Sequence, residues 1–444
     1  MQESKNLNIQ LKDNTPRPLL LFEGSVGTRS GYGTHCRILL KSILSMDKFD
    51  VKVFPTRWGN TPMTGLDPNI PEDKEILDLF VQGLDRQPDL HIQVSIPNEF
   101  QPKGKKNIGI TAGTESSIAP LNFLEGCNRV DLVIVPSQFT KDVLLQTKYD
   151  KKENDRIVET IQVNKPIEVL FEGLDLNIFH KTTEISSDVN ELFKGIKEDF
   201  CYLFTGHFLN GRLGQDRKDV GMLIKTFLDV FKNKKKRPAL ILKTSGAGFS
   251  ITERDQILDK INQIQEMIRE EGFKGKLPSI YVLNGDLSDT EMNELYNHPK
   301  VKAMVSFHKG EGFGLPLLEF TATGKPVICS AYSGPLDFLN PDYSVLLPGK
   351  LTKIDGSAAN EWIPKEGEWF TVSYQYAGQV LSDVFENYEK YLVKSRKSTK
   401  YTKENFSIEK MSSRFLELLE KELTFVNKEP SQVRINLPQL KKIT

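Results

Sequence analysis

The sequence predicts an α/β protein built from two facing doubly wound domains, and three observations carry that prediction. Apolar runs of strand length alternate with helical patterns of about 10–15 residues, the arrangement that gives a parallel sheet covered by helices on both faces. The alternation starts afresh near residue 200 after a polar link. A chain of 444 residues is also too long for one ordinary core.

The first series opens with LLLFEG, followed by the glycine loop SVGTRSGYGTH and the helical pattern CRILLKSILSM. FDVKVFP, DLHIQVSIP, KNIGIT and VDLVIVPS follow as strands. QFTKDVLLQ is a helix capped by Ser137, and IEVLFEGLD closes this half near residue 175. The polar HKTTEISSDVNELFKGIKED reads as a linker or short helix. In the second series FCYLFTG, PALILKTSG, SIYVLNG, KAMVSFH and PVICS are strands. Between them lie VGMLIKTFLDVFKN, the long amphipathic TERDQILDKINQIQEMIREEG, DTEMNELYNH and a helix within GLPLLEFTATG. AGQVLSDVFENYEKYLVKSRKS and IEKMSSRFLELLEKELTF add helices beyond the second sheet. The expected divisions are 1–178, 179–395 and 396–444, the last returning toward the first domain. The tail after Lys428 shows no core pattern.

Charge is balanced, 59 Lys+Arg against 59 Asp+Glu, so no global field calls for nucleic acid or an anionic membrane. No apolar run approaches the roughly 20 residues of a membrane span, and the polar N-terminus lacks a signal-peptide core. Contact with a membrane surface stays open, as does oligomeric state. Cys36, Cys127, Cys201 and Cys329 are scattered with no CxxC pair, which argues against a disulfide framework or structural zinc and for a reducing, cytoplasmic setting.

The informative stretch is VSFHKGEGFGLPLLEFTATGKPVICS, Val305 to Ser330. It places Glu311 among Gly310, Gly312 and Gly314 directly after a strand, where open α/β sheets bind ligands. Pro316 suits a helix start, whose free N–H groups and dipole favour phosphate. Glu319, expected in the first turn, points to the same crevice, and Gly324 stops the helix. A diphosphate explains the glycines but would be repelled by the carboxylates. These must instead face hydroxyl donors, and sugars are the obvious candidates. Taken singly, Glu319 reads as a helix acid worth about 0.3–1 kcal/mol against the dipole and Glu311 as a solvated loop charge.

The segment EGFGLPLLEFTATGKPVI resembles the donor-site signature of retaining, nucleotide-sugar-dependent glycosyltransferases of family 4, which have the GT-B fold: two Rossmann-like domains with the donor cleft between them. VIVPSQFTKDVL, IEVLFEGLDLNIF (Gly173, Asp175 and Phe179) and DRKDVGMLIKTF agree with it, so the resemblance covers most of residues 19–420. It implies that Glu319 grips the donor ribose and Glu311 the transferred sugar. Lys218 with Arg217 or Arg212 neutralises the diphosphate, and the donor site takes in Gly312, Phe313, Gly314, Leu315 and His308. Gly31 and Gly33, in the loop after the first strand, reach the donor from the other domain. Fixed cations in a dry cleft stabilise the charge that develops on a departing diphosphate.

Many members of the family carry a first-domain histidine near the reacting sugar. Here the corresponding loop, ITAGTESS, has none, and Glu115 or Thr114 is the candidate in its place; Glu115 could equally be a capping or surface acid. His91 is expected to be structural, and for His308 a satisfied strand-end histidine is an equal alternative. KNKKKR, residues 232–237, is a solvated run. A dinucleotide-binding reading of Gly31 and Gly33 fails at Cys36, and no P-loop is present. With no Asp-x-Asp at a strand end and no ligand-spaced cluster, catalysis without metal or other cofactor is expected. A nucleotide-sugar epimerase or a non-catalytic sugar-binding subunit are the alternatives. The acceptor, whether saccharide, lipid-linked or other, is not legible. Domain closure is expected about Glu172–Phe179, with Gly173 absorbing the rotation.

Overall fold

The computed structural model describes residues 17–209, 211–244 and 250–426. The polar lead-in, the end of PALILKTSG and the tail lie outside them. The first domain runs β1 (Leu19–Gly24), α1 (Gly31–Ser45), β2 (Asp50–Pro55), α2 (Pro71–Leu77), β3 (Leu90–Val94), β4 (Lys106–Ile110), α3 (Leu121–Cys127), β5 (Leu132–Val135), α4 (Gln138–Gln146), β6 (Tyr149–Glu153), β7 (Arg156–Ile161) and β8 (Ile167–Val169). Its parallel sheet has the order β2-β1-β3-β4-β5-β8, and β6–β7 is a separate antiparallel hairpin. The linker contains α5 (Ser187–Leu192).

The second domain runs β9 (Cys201–Thr205), α6 (Val220–Phe231), β10 (Ala239–Lys243), α7 (Ile251–Glu270), β11 (Ile280–Leu283), α8 (Asp289–Asn297), β12 (Val301–Ser306), α9 (Leu315–Thr321), β13 (Val327–Ser330), β14 (Val345–Leu347), β15 (Gly349–Lys353), β16 (Glu368–Val372) and α10 (Tyr374–Glu386). Its parallel sheet is β11-β10-β9-β12-β13-β14, with β15–β16 a separate hairpin. Strand order reverses between β9 and β12, so the loops after these two strands flank the switch point at which such sheets bind ligands. The central strands are buried on both faces (β9 supplies Cys201, Tyr202, Leu203 and Phe204), as parallel strands covered by helices must be.

Two local outcomes differ from expectation. Glycine loop and helix merge after β1. Ser30 is the N-cap and accepts from Gly33 N–H at 3.0 Å, so Gly31, Tyr32 and Gly33 form the first turn of α1. Gly33 is glycine because a Cβ there would lie 2.2 Å from the Thr28 carbonyl oxygen. The first C-terminal helical run breaks at Asn387 into α10 and α11 (Tyr388–Asn405).

The α11 helix passes through the expected boundary at residue 395 and stays on the second domain, where Ser395 and Thr399 donate to the carbonyls of Gly324 and Thr321 at 2.7 and 2.8 Å. After it, α12 (Ile408–Val426) crosses back, burying Met411, Phe415, Leu418 and Leu419 in the core of the first domain. Outgoing and returning crossovers run side by side. Leu174 N–H donates to Phe406 O at 2.8 Å, and Ile408 N–H to Leu174 O at 3.0 Å. A Cβ on Gly173 would stand 2.7 Å from Ile408 Cα. Gly173 is absent from the left-handed glycines, so close approach, rather than freedom to rotate, requires glycine there. No described helix is long and apolar enough to cross a membrane.

Between the domains, the loop after β12 lies directly on the loop after β4. A Cβ on Gly310 would be 1.7 Å from the Glu115 carbonyl oxygen, and one on Gly312 would be 2.0 Å from that of Ala112. Ser137 Oγ donates to Gly312 O at 2.5 Å, and Arg29 pairs with Asp286 at 2.9 Å. These glycines therefore let two protein backbones meet, where the sequence had suggested approach to a ligand. Gly310→Ala is expected to part the domains without unfolding either. Small-angle scattering should show a larger radius of gyration for the variant at an unchanged circular-dichroism spectrum. Identical scattering curves would mean that the loops meet by packing alone.

Candidate active site

Lys218 follows β9 and Glu311 follows β12, so the strands beside the switch point bring together residues 93 apart in sequence. Lys218 Nζ donates to Glu311 Oε1, and Arg217 Nη1 lies 3.4 Å from Glu311 Oε2. Arg217 also lies 3.4 Å from Glu115 of the first domain and donates to Gly310 O at 3.3 Å. Burial alone would raise the Glu311 pKa. The Lys218 and Arg217 cations overcome it and hold the carboxyl at about 2. Around Lys218 and Glu311 the open space is about 20 Å³, lined also by Thr205, Ser306 and Gly314. That holds about one water.

Glu319 has the opposite electrostatics. It lies in the second turn of α9, one turn later than expected, because the helix begins at Leu315. Tyr296 O–H of α8 donates to it at 3.1 Å, and no cation pairs with it among the described residues. Burial, with the nearby Asp289 and Glu172 carboxylates, pushes it up to about 8. Glu172, on the outgoing crossover, is itself raised to about 7 by burial and by Glu311. Glu319 opens onto a cavity of about 330 Å³ whose other walls include Arg37 and Lys41 of α1, Asp175, Asp289 and Leu315.

The remaining candidates divide. Arg217, adjacent to Lys218, is at Glu311. Arg212 is exposed, its backbone N–H on Ser357 Oγ at 3.2 Å, with no ion pair to Glu311. Phe313 points away into the core against Phe338, ring centres 5.1 Å apart, so its side chain is structural. Gly314 takes a left-handed conformation, φ 97°, as the cap of α9. His308 is fully buried beneath Glu311. Its Nδ1 is 3.2 Å from Ser306 Oγ, its Nε2 has no hydrogen-bond partner among the described residues, and burial lowers it to about 4, leaving it neutral at pH 7. Thr114 is buried with its hydroxyl unpartnered among the described residues, and Glu115 sits at the seam. His91 is a buried partner of Glu23 at 3.1 Å.

From the first glycine loop it is Tyr32, between Gly31 and Gly33, that reaches the seam. Its hydroxyl accepts from Ala112 N–H at 2.9 Å, and its ring stacks on Trp58 at 3.9 Å. Tyr32, Glu172, Asp289, Tyr296 and Lys309 were not singled out in the sequence. Glu172 carried a usable signal, an acid inside the apolar run VLFEGL; Tyr296 read as an ordinary helix residue. Among the described residues no three His, Cys, Asp or Glu side chains are grouped to hold a metal ion.

Residues 224–353 match the family model for glycosyl transferases group 1, a span that holds Glu311 and Glu319 but not Lys218 or the first domain. No curated protein matches the chain in sequence. Solved structures match across both domains. Sucrose-phosphate synthase from Thermosynechococcus elongatus aligns with a TM-score of 0.59 at 12% identity, covering 92% of this chain and 100% of that one. Anabaena HepE in complex with UDP and glucose gives 0.54 at 14%, covering 91% and 100%. A glycosyltransferase from Rickettsia africae gives 0.55 at 14%, covering 92% and 99%. At these identities the likeness is one of fold: the chain has the GT-B fold, two Rossmann-like α/β domains facing across a cleft.

Proposed function

We propose that this protein is a retaining glycosyltransferase that moves a sugar from a nucleotide-diphosphate donor to an acceptor hydroxyl without a metal ion. The observation that carries the reading is the Arg217–Lys218–Glu311 cluster beside the switch point, with Glu319 one helix further on. Breaking the sugar–phosphate bond leaves negative charge on the diphosphate, and Lys218 and Arg217 stand ready to stabilise it. For that, the diphosphate takes over the contact that Glu311 holds, and the freed Glu311 carboxylate turns to the hydroxyls of the sugar. Glu319, neutral at pH 7, can both donate to and accept from a ribose diol without repelling the diphosphate. The resemblance of EGFGLPLLE to retaining enzymes supports retention, and the two cations in the role a metal would otherwise fill support metal independence.

A thermal-shift screen of nucleotide sugars tests the donor. A ligand at 100 times its dissociation constant stabilises by about 2.7 kcal/mol, and the stabilising donor should then give product of retained anomeric configuration by NMR, with turnover surviving EDTA. An inverted product, isomerised donor without acceptor, or activity that needs Mg²⁺ or Mn²⁺ would each remove part of the reading. The two glutamates should separate kinetically. Glu319→Ala should raise donor KM about tenfold, the loss of roughly one hydrogen bond. Glu311→Gln should cost about 100-fold in kcat. The reverse pattern would exchange their roles.

Glu319 also carries a pH signature. Its folded-state pKa of about 8 exceeds the usual 4.5, so the stability it confers is present below about pH 4.5 and is lost as pH rises through 8. Glutamine cannot ionise. The melting temperature of Glu319→Gln relative to wild type should therefore climb between about pH 4.5 and 8 and level off above. A difference flat with pH would show that the carboxyl is not held neutral.

A further inference from the structure

Lys309 is the one buried lysine or arginine among the described residues, and the proposed chemistry leaves it unused. Its ammonium lies 3.2 Å from Asp219 Oδ2, the two side chains being 1% and 0% exposed. Thr371 Oγ1 accepts from it at 2.9 Å, and the Trp369 ring lies 5.7 Å away. Asp219 is equally unusual. It is the N-cap of α6 but makes no capping bond with its side chain, and it adopts the left-handed conformation, φ 52° and ψ 35°. The capping is done by Asp216, whose Oδ1 accepts from Val220 N–H at 3.3 Å. The Asp219 carboxylate goes to Lys309 and to Tyr374 O–H, the latter at 2.7 Å. Backbone bonds complete the link: Lys309 N–H donates to Arg217 O at 2.8 Å, and Phe370 N–H to Lys309 O at 2.9 Å.

We infer that Lys309 and Asp219 are positioning residues that lock the Arg217–Lys218–Asp219 turn to the Glu311 loop and so aim Lys218 at the leaving group. Left-handed backbone is unfavourable for a residue with a Cβ, and aspartate tolerates it better than most. A buried carboxylate needs a partner, and among the described residues the one cation paired with this one belongs to the loop two residues before Glu311. The turn can therefore reach its strained form only when both loops are in register. Lys218 precedes Asp219, so fixing the turn fixes the direction of the Lys218 stem. A buried ion pair adds little net stability over an apolar pair of like volume, whereas removing one partner is costly. Its place next to the cluster fits a role in geometry. The proposal rests on the glycosyltransferase reading for what Lys218 does, though not for where it is held.

The test is a stability cycle between residues that do not touch. Glu311→Gln is introduced into wild type and into the paired replacement Lys309→Met with Asp219→Asn, which leaves no buried charge unmatched. If the pair aims Lys218, Glu311 has already lost its Lys218 contact in the replaced background, and its substitution should perturb the unfolding equilibrium roughly fivefold less there. Equal effects in both backgrounds would overturn the proposal. Should the paired replacement fail to fold, Tyr374→Phe loosens Asp219 without touching either charge, and the same cycle should show coupling of the same sign; additivity would again overturn it. With whichever nucleotide sugar is turned over, the paired replacement should lose roughly 100-fold in kcat/KM while keeping its melting temperature, the scale of one misplaced charge-stabilising group. Wild-type kcat/KM would make the pair mere packing. If no donor is turned over by wild type, the functional reading fails, and the stability cycle still decides the positioning role.

Discussion

The site depends on two backbones touching. Where Gly310 and Gly312 lie against Glu115 and Ala112, any larger residue would hold the domains apart. Contact there lets a line of alternating charge, Glu115–Arg217–Glu311–Lys218, run from one domain into the other. It also withdraws that line from water, and charges so placed act on each other far more strongly than at a surface. Removing one member would leave the others buried without compensation, a larger loss than the pair's own net contribution. Domain contact and the electrostatics of the cleft are therefore one property.

The two glutamates of EGFGLPLLE, eight positions apart, end in opposite states. Glu311 is kept ionised by two cations, and Glu319, among Asp289, Glu172 and Tyr296, is kept protonated. On the proposed reading, this removes the repulsion that paired carboxylates would exert on a diphosphate. Only one of them is charged near neutral pH, and it is already matched by cations. Environment, more than residue type, sets what each acid can do.

Much of this was legible in the sequence because hydrophobic periodicity reports burial. LLLFEG, VDLVIVPS, QFTKDVLLQ and CYLFT form the elements their patterns predict, and the two doubly wound domains follow from alternation repeated twice. The glutamates and Lys218 were picked out by their place near strand ends together with the resemblance of EGFGLPLLE and DRKDVGMLIKTF to a donor site, and the fold brings Lys218 and Glu311 into contact. Three-dimensional contacts were not legible. Nothing in GEGFG distinguishes a glycine that meets a ligand from one that meets another backbone, and Gly310 and Gly312 are of the second kind. Phe313, inside the same motif, belongs to the core. Lys309 was not singled out, since its partner Asp219 is 90 residues away and a pairing of that range leaves no periodic trace. The β6–β7 hairpin, with YDKKE and RIVETI largely exposed, lacked the apolar alternation that marks a half-buried strand.

The return of α12 governs how the chain can be assembled. Met411, Phe415, Leu418 and Leu419 complete a core whose first strand begins at Leu19, and Ser412 meets Ser42 at 2.7 Å. During synthesis from the N-terminus, the first domain leaves the ribosome with this part of its core uncovered, and it stays so while the whole second domain is made. The second sheet, contained within residues 201–347, needs no such wait. The later-made domain can thus reach its final packing first, and the earlier one must tolerate an exposed apolar face for some 200 residues of translation, a period in which chaperone binding or aggregation competes with folding.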